Sequence, residues 1–289
     1  CPIQDEQIVE AARKVAAWAN DCGVPVYDEA TGKGQLRNVV ARTTADGELM
    51  VVVVTRGALK RADELLSYLE GCDSVWHNEN PKDTNVVFGE RFTLLSGKPV
   101  LTETIGEKRF SVSPQSFLQV NRVQTAVLYE TAAEFLDVKP EETVVDAYCG
   151  VGTISLFLAD HCRQVIGIEQ VEPAIADAKQ NAEVNGVANA MFLCGNVEDV
   201  LPRLVSENTK IDAIVLGPPR KGCEPAALEA IAESGANRVV YVSCNPATLA
   251  RDCKILASKG FVLTAVQPVD MFPQTCHVEC VVLMSKVQK

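Results

Sequence analysis

The sequence lacks the features that would direct a protein into a membrane or out of the cell. No apolar run approaches the roughly 18 residues of a membrane span, and the start has no basic segment followed by an apolar one. We therefore expect a cytoplasmic protein without a membrane partner, and no obligate protein partner is evident. Aromatic residues make up only 6% of the 289 residues, but 47% are hydrophobic. This is enough for a large core, and we expect two domains.

The sequence also lacks cysteines and histidines at the spacing of a metal site. The eleven cysteines are scattered without C-x-x-C pairs, and the three histidines are dispersed, so we expect no zinc site. Because the number of cysteines is odd, reduced thiols are favoured over a disulfide framework.

Positive charge is scarce. The formal net charge of −11 argues against a wide nucleic-acid surface, which normally shows a basic stripe. Basic residues do cluster at 108–109, at 220–221 and at Arg251 with Lys254. A narrow basic cleft on an otherwise acidic protein therefore stays an alternative.

The first part of the chain mixes helical and β-rich patterns. Helical spacing occurs at residues 4–20 and 58–69, and no nucleotide-binding turn is present. Short β-rich runs lie at residues 36–43, 48–55, 74–77, 85–88, 91–95, 100–104 and 109–112. We predict that residues 1–111 form an accessory α+β domain.

From residue 112 onward, strands and helices alternate regularly, which is typical of a doubly wound parallel sheet. The predicted strands lie near residues 143–147, 164–168, 190–194, 211–216, 237–242, 261–267 and 278–285. The last two follow each other directly, so we expect a closing hairpin with an antiparallel final strand. Residues 112–289 are therefore predicted to form an α/β, seven-stranded, Rossmann-like domain of the kind found in methyltransferases.

Residues 143–169 read as the nucleotide-binding unit of this sheet: an apolar run, a glycine turn, a helix, and a second apolar run that ends at Glu169. Gly150 and Gly152 would let the backbone approach a ligand, and Glu169 could accept hydrogen bonds from ribose hydroxyls. The turn has neither the lysine of a P-loop nor a third glycine. S-adenosylmethionine, which has an adenosine but no phosphate, fits such a turn. Another nucleotide and a structural turn without a ligand stay open.

Two later residues could carry chemistry. Cys244 lies where a strand meets a helix that Pro246 is well placed to begin, and a helix N-terminus stabilises the thiolate that a nucleophile requires. Its alternative is a small apolar filler. Glu279 enters an apolar strand, where an acid is costly unless it is catalytic, paired in a salt bridge or used as a cap. His277 is interpreted as orienting or structural.

A thiolate, a carboxylate and a methyl donor fit methylation of uracil at C5. Addition of the Cys244 thiolate to C6 makes C5 nucleophilic, C5 takes the methyl group, and Glu279 removes the C5 proton so that the thiolate leaves. Both carbons must be reached, which requires a flipped base.

The sequence resembles the RNA 5-methyluridine methyltransferases, which modify transfer RNA or large-subunit ribosomal RNA. The matching segments are residues 113–121, 146–153, 243–252 (SCNPATLARD) and 271–279. The resemblance implies that Cys244 is the nucleophile and Glu279 the proton acceptor. It implies donor contacts at Gln119, Tyr148, Gly150, Thr153, Glu169 and Gly217. The implied substrate contacts are Phe117, Arg220, Asn245 and His277, with Phe117 beside the uracil or, alternatively, in ordinary packing between domains.

The resemblance favours 23S ribosomal RNA as the substrate, with transfer RNA as the alternative, and residues 1–111 are then expected to interact with this RNA. Gly217 departs from the family, which has an aspartate there in the donor and substrate site, so a weakly active RNA-binding homologue stays open. A small-molecule methyltransferase on the same sheet is a further alternative. Cys1 resembles the last of four cysteines that hold an iron–sulfur cluster in the ribosomal branch, but the other three and that branch's N-terminal β-barrel are missing. We therefore expect a partial chain.

Overall fold

The structure is a computed structural model that describes residues 4–287. Cys1, the suggested remnant of a cluster ligand set, lies outside the described residues. The chain divides into two compact units, one containing residues up to 104 together with 111–115, the other containing residues 105–110 and those from 116 onward. The RNA-interacting role of the first part stays a prediction.

The helices and strands follow the chain in a mixed order that changes to regular alternation after α3. The helices are α1 (Glu6–Asp21), α2 (Ala62–Tyr68), α3 (Arg122–Leu136), α4 (Thr153–Ala159), α5 (Glu172–Val184), α6 (Val197–Ser206), α7 (Pro225–Glu233) and α8 (Pro246–Ser258). The strands are β1 (Leu36–Thr43), β2 (Leu49–Thr55), β3 (Ser74–Glu79), β4 (Arg91–Gly97), β5 (Leu101–Ile105), β6 (Lys108–Val112), β7 (Thr143–Ala147), β8 (Gln164–Glu169), β9 (Ala190–Cys194), β10 (Ala213–Leu216), β11 (Arg238–Ser243), β12 (Phe261–Val269) and β13 (Glu279–Lys286).

The first unit is built on a four-stranded sheet in the order β1-β2-β3-β4. The pair β2–β3 is parallel and the other two pairs are antiparallel. Helix α1 begins after Asp5, whose carboxylate accepts a hydrogen bond from Gln7 N at 2.9 Å. Its apolar face, which includes Val15 and Trp18, packs into one cluster with the buried β2 side chains. Residues 85–88 form no strand, because the carbonyls of Val86 and Val87 instead accept hydrogen bonds from the side chain of Asn80.

The second unit contains the seven-stranded sheet, in the order β12-β13-β11-β10-β7-β8-β9. Strands β7 to β11 pair in parallel, and β13 runs antiparallel to both β11 and β12. This confirms the predicted parallel sheet with an antiparallel closing strand. The order reverses between β7 and β10, which is where ligands bind in open α/β sheets.

Successive apolar side chains along the strands point to opposite faces of this sheet and form two hydrophobic cores, one on each face. Val145 and Ala147 face a cluster completed by α6, α7 and α8, whereas Val144 faces a cluster completed by α3, α4 and α5. Helices therefore cover both faces of the sheet. The ends of the strands are the part of the sheet left open to a ligand.

Among residues 4–287, no helix is long and apolar enough to cross a membrane. The same residues contain no group of three or more His, Cys, Asp or Glu side chains that could hold a metal ion.

Candidate active site

The carboxyl ends of three neighbouring strands bring the predicted donor residues together. Leu216 at the end of β10 pairs with Ala147 of β7 and with Tyr241 of β11. Gly217 N donates a hydrogen bond to Ala147 O at 3.1 Å, and Tyr148 N donates to Ile168 O at 2.9 Å. Tyr148 and Gly217 therefore leave the sheet side by side.

The turn after β7 is conformationally demanding. Tyr148 has a left-handed backbone with φ 69°, which costs about 1–3 kcal/mol for a residue other than glycine, and such strain clusters at functional sites. Gly150 also has positive φ, and a Cβ added there would meet no atom within 4 Å. Gly150 therefore leaves open space at the turn, as a site that receives a ligand requires.

Gly152 has a role that differs from the predicted one. A Cβ on Gly152 would lie 3.1 Å from the Phe192 ring and 3.2 Å from Ala178 Cβ, and its φ is +83°. Its side of the turn is thus filled by the protein itself. The absence of a side chain there permits close packing against Phe192 and Ala178, and approach of a ligand to the Gly152 backbone stays a prediction.

Glu169 closes the turn from the end of β8. Its Oε2 accepts a hydrogen bond from Gly150 N at 3.3 Å, and its Oε1 accepts one from Val171 N at 2.9 Å. These bonds fix the carboxylate beside the glycine turn, and the half-buried side chain still has lone pairs for ribose hydroxyls.

Buried polar side chains next to the glycine turn form hydrogen bonds with one another. Ser155 Oγ donates to Asp146 Oδ2 at 2.6 Å, and burial raises the pKa of Asp146 to about 6. The hydroxyls of Tyr129 and Thr153 are 3.1 Å apart, and burial raises the pKa of Tyr129 to about 12. The Thr153 side chain, predicted to contact the donor, is therefore already engaged inside the protein.

The candidate nucleophile and base lie at the end of an antiparallel strand pair. The last pair of the β11–β13 ladder is Ser243 with Cys280. Cys244 directly follows Ser243, and Glu279 directly precedes Cys280, so both candidate residues lie at this end of the strand pair. Cys244 is half-buried and directly precedes Asn245, the N-cap of α8.

Glu279 is buried, with 3% of its surface exposed. Burial raises the pKa of its carboxyl group, and the positive charge of Arg220 opposes that rise. A carboxylate with a raised pKa and a nearby cation has the properties of a proton acceptor.

The loop that follows β10 is held by a buried carboxylate that the sequence did not single out. Asp252 of α8 is fully buried and accepts hydrogen bonds from Cys223 N at 2.8 Å and from the Tyr241 hydroxyl at 2.7 Å. Arg251 pairs with the other Asp252 oxygen at 2.8 Å and donates to Lys221 O at 3.0 Å. These bonds tie the loop carrying Gly217 and Arg220 to the helix that follows Cys244.

The signal for Asp252 was present in the sequence. It lies three residues after Leu249 and four before Leu256, on the apolar face of α8. An acid on a buried helix face requires partners.

The predicted substrate residues of this loop region behave differently from one another. Asn245 uses its side chain within the protein, because Oδ1 accepts from Ala247 N at 3.1 Å and Nδ2 donates to Arg220 O at 3.1 Å. The Arg220 guanidinium is exposed. His277 is exposed, and its ring lies 6.4 Å from that of Phe272 in an edge-on arrangement. Their contacts with a substrate stay predictions.

The segment that carries Phe117 and Gln119 is anchored at both ends. Ser116 Oγ donates to Asp177 Oδ2 at 3.0 Å, and Asn121 Nδ2 donates to Met271 O at 3.3 Å. Between these anchors the Phe117 side chain is 75% exposed. Gln119 is half-buried and makes no side-chain hydrogen bond within residues 4–287, so its amide is available to a ligand.

The chain is similar in sequence to known RNA methyltransferases. Residues 102–287 match the sequence model of the family described as tRNA (uracil-5-)-methyltransferase. An uncharacterized RNA methyltransferase of Halalkalibacterium halodurans is 46% identical over 293 residues, covering 98% of this chain and 63% of that protein. A second, from Clostridium tetani, is 44% identical, covering 99% of this chain and 63% of that protein. The chain thus spans about 63% of the length of these curated relatives.

Solved structures resemble the fold over most of the chain. The crystal structure of Pyrococcus abyssi tRNA (uracil-54, C5)-methyltransferase in complex with S-adenosyl-L-homocysteine has a TM-score of 0.78 and 31% identity, covering 95% of this chain and 66% of that one. The M. jannaschii tRNA m1G37 methyltransferase has a TM-score of 0.55 and 14% identity, covering 86% of this chain and 75% of that one. This second likeness concerns the fold alone.

Proposed function

The chain belongs to the family described as tRNA (uracil-5-)-methyltransferase, and from this premise we propose that it methylates C5 of a uridine in structured RNA. The observation that carries the proposal is that Cys244 directly follows Ser243 and Glu279 directly precedes Cys280, the residues of the last β11–β13 pair. This pair lies at the same sheet edge as the glycine turn. A protein that only bound RNA would not need it.

S-adenosylmethionine fits the residues of this edge. The open side of Gly150 leaves room for a ligand, and the fixed Glu169 carboxylate can accept hydrogen bonds from ribose hydroxyls. Gln119 and Tyr148 complete the proposed donor contacts. When bound, S-adenosylmethionine supplies the electrophilic methyl group that C5 receives.

The protein side chains then act on the pyrimidine. The Cys244 thiolate adds to C6, forming an Sγ–C6 bond and moving electron density to C5. After C5 is methylated, Glu279 takes the C5 proton, and the electron pair of that C–H bond restores the C5–C6 double bond as the Sγ–C6 bond breaks. The Phe117 ring, which is exposed, would stack on the flipped base.

Two observations bear on the target RNA, and they favour different candidates. The sequence resemblance favours 23S ribosomal RNA. The second candidate is transfer RNA, which is supported by the likeness to the P. abyssi transfer-RNA enzyme. The chain would then have the same chemistry with a different RNA partner.

A release assay tests the proposal. RNA carrying tritium at C5 of uridine is incubated with the protein and S-adenosylmethionine, using a 23S ribosomal RNA transcript and a transfer RNA in parallel. We expect tritium release in step with 5-methyluridine formation on one of the two RNAs, and loss of both in Cys244→Ala. Methylation of free uridine without RNA would instead indicate a small-molecule methyltransferase.

Gly217 provides the alternative. Because the family carboxylate is absent at this position, the chain could bind RNA and donor but transfer the methyl group poorly. Binding of both ligands without tritium release or 5-methyluridine on either RNA would favour this RNA-binding function.

A further inference from the structure

The first unit contains a cavity whose charged lining residues are all positive. It measures about 580 Å³, and its charged lining residues are Arg56, Lys60 and Arg61. Its other lining residues are uncharged. We call it the basic cavity. In a chain with a net charge of −11, three cations around one cavity are a local exception.

A second cavity in the same unit has the opposite character. It measures about 500 Å³ and is lined by three glutamates together with Lys14. The two cavities therefore differ in charge on a single unit, and Lys14 provides a matched lysine for comparison.

Two of the three cations have no ion-pair partner in the described part of the chain. Within residues 4–287, neither Arg56 nor Lys60 forms an ion pair, whereas Arg61 pairs with Glu64 at 3.0 Å. An unpaired arginine and lysine beside one cavity attract an anion.

The Arg56 guanidinium is held in place. It lies 5.5 Å from the centre of the Tyr27 ring, and Arg37 lies 4.6 Å from the same ring centre. The Tyr27 hydroxyl donates to Asp83 Oδ1 at 2.7 Å, which fixes the ring. The arginine is thus ordered by a cation–π contact, and its donors remain available.

Backbone donors line the same cavity. Gln35 Nε2 donates to Ala58 O at 2.7 Å, which holds the irregular segment between β2 and α2. In the described part of the chain, the N–H groups of Gly57 and Ala58 donate to no protein acceptor. A Cβ on Gly57 would meet no atom within 4 Å, so the backbone is approachable from the cavity.

We propose that the basic cavity binds a backbone phosphate of the RNA substrate, with Arg56 and Lys60 as the charged contacts. The proposal rests on the proposed function, because that function makes RNA the anionic partner. An arginine fork and backbone N–H groups suit phosphate oxygens. Such contacts position an RNA without reading its sequence. The site would therefore fix how the RNA lies on the protein.

The test is RNA binding over a salt series, without donor, for the chain and two variants. We expect Arg56→Ala/Lys60→Ala to weaken binding at low salt about tenfold, as lost charge-assisted contacts do. The slope of log affinity against log salt should become shallower by about 0.7–0.9 for each lost phosphate contact. Lys14→Ala should leave both quantities unchanged, and Arg56→Lys should retain most of the salt slope. An unchanged slope in the double variant, or an equal loss in Lys14→Ala, would overturn the proposal.

Two further readouts separate this proposal from the proposed function. If the chain releases no tritium from uridine RNA but the double variant still loses salt-dependent affinity, the methylation proposal fails and the phosphate site stands. If the chain methylates RNA and the double variant keeps the same KM for RNA, the phosphate site fails alone. Binding of inorganic phosphate by the chain that the double variant loses, with RNA affinity unchanged, would identify a small-anion site and overturn the RNA assignment.

Discussion

Replacing Gly217 by aspartate tests the donor site where the chain departs from its family. The structure has room for the change, because a Cβ on Gly217 would lie 3.9 Å from its nearest neighbour, Tyr148 O, and the backbone is not left-handed. We therefore expect the free energy of unfolding to change by no more than about 0.5 kcal/mol, as for other substitutions without clashes. The new carboxylate would extend from the end of β10 beside the glycine turn.

The expected gain in rate follows from the strength of one hydrogen bond. A hydrogen bond to a charged group contributes about 1.5–3 kcal/mol. If it acts in the transition state, the rate of a single turnover should rise roughly 10- to 150-fold, since each 1.36 kcal/mol is tenfold. Single-turnover methylation of RNA under saturating donor measures this rate, with urea unfolding as the check on the fold.

Two variants at the same position separate the carboxylate from the added atoms. Gly217→Ala adds the Cβ alone and should leave the rate unchanged, and Gly217→Asn adds a hydrogen-bonding group without charge and should give a smaller gain. A Gly217→Asp protein that folds normally but turns over at the original rate or more slowly would refute the argument.

Three further predictions concern titratable groups around the site. Arg220 lowers the pKa of the Glu279 carboxyl group. Arg220→Gln should therefore move the rising acid limb of the single-turnover pH profile to higher pH, whereas Lys221→Gln, whose partner is Glu224, should not. Coincident profiles for the parent and Arg220→Gln would contradict the effect of Arg220 on Glu279. Burial raises the pKa of Asp146 from 3.8 to about 6, so its contribution to stability is present below pH 4 and is lost as the pH rises through 6. In urea unfolding, Asp146→Asn should therefore gain stability relative to the parent between pH 4 and 7, by up to about 3 kcal/mol, and a pH-independent difference would contradict this. Asp252→Asn places an amide against hydrogen-bond donors that now face a carboxylate. It should lower the free energy of unfolding by about 2–4 kcal/mol. A change below about 0.5 kcal/mol would contradict the role of Asp252 in holding the loop that follows β10.

The strands of the seven-stranded sheet were predictable because their signal is local and repeated. Each strand is a short apolar run, the helices between them have helical spacing, and only the last two strands lack an intervening helix. Alternation along β7, with Val144 facing one core and Val145 the other, agrees with a sheet covered on both faces.

The partners of individual site residues were not predictable in the same way. Cys244 and Glu279 are far apart in sequence, and the antiparallel pairing of β11 with β13 brings the strand ends that carry them together. The resemblance implied that Asn245 contacts the substrate, but it did not indicate that the Asn245 amide caps α8 and holds the carbonyl of Arg220. Gly152 had the features of a ligand-facing glycine, but Phe192 fills that space. Such roles depend on contacts between distant segments, which sequence periodicity does not encode.

The central claim is that Cys244 forms a covalent bond to C6 of uracil during methyl transfer. RNA containing 5-fluorouridine tests it directly, because fluorine at C5 cannot be removed as a proton and the covalent complex persists after methylation. Incubation with this RNA and S-adenosylmethionine, followed by denaturing electrophoresis and peptide mass analysis, should give an RNA–protein adduct at Cys244. The adduct should be missing in Cys244→Ala. An adduct that persists in Cys244→Ala, or none in a protein that binds both RNA and donor, would contradict the account.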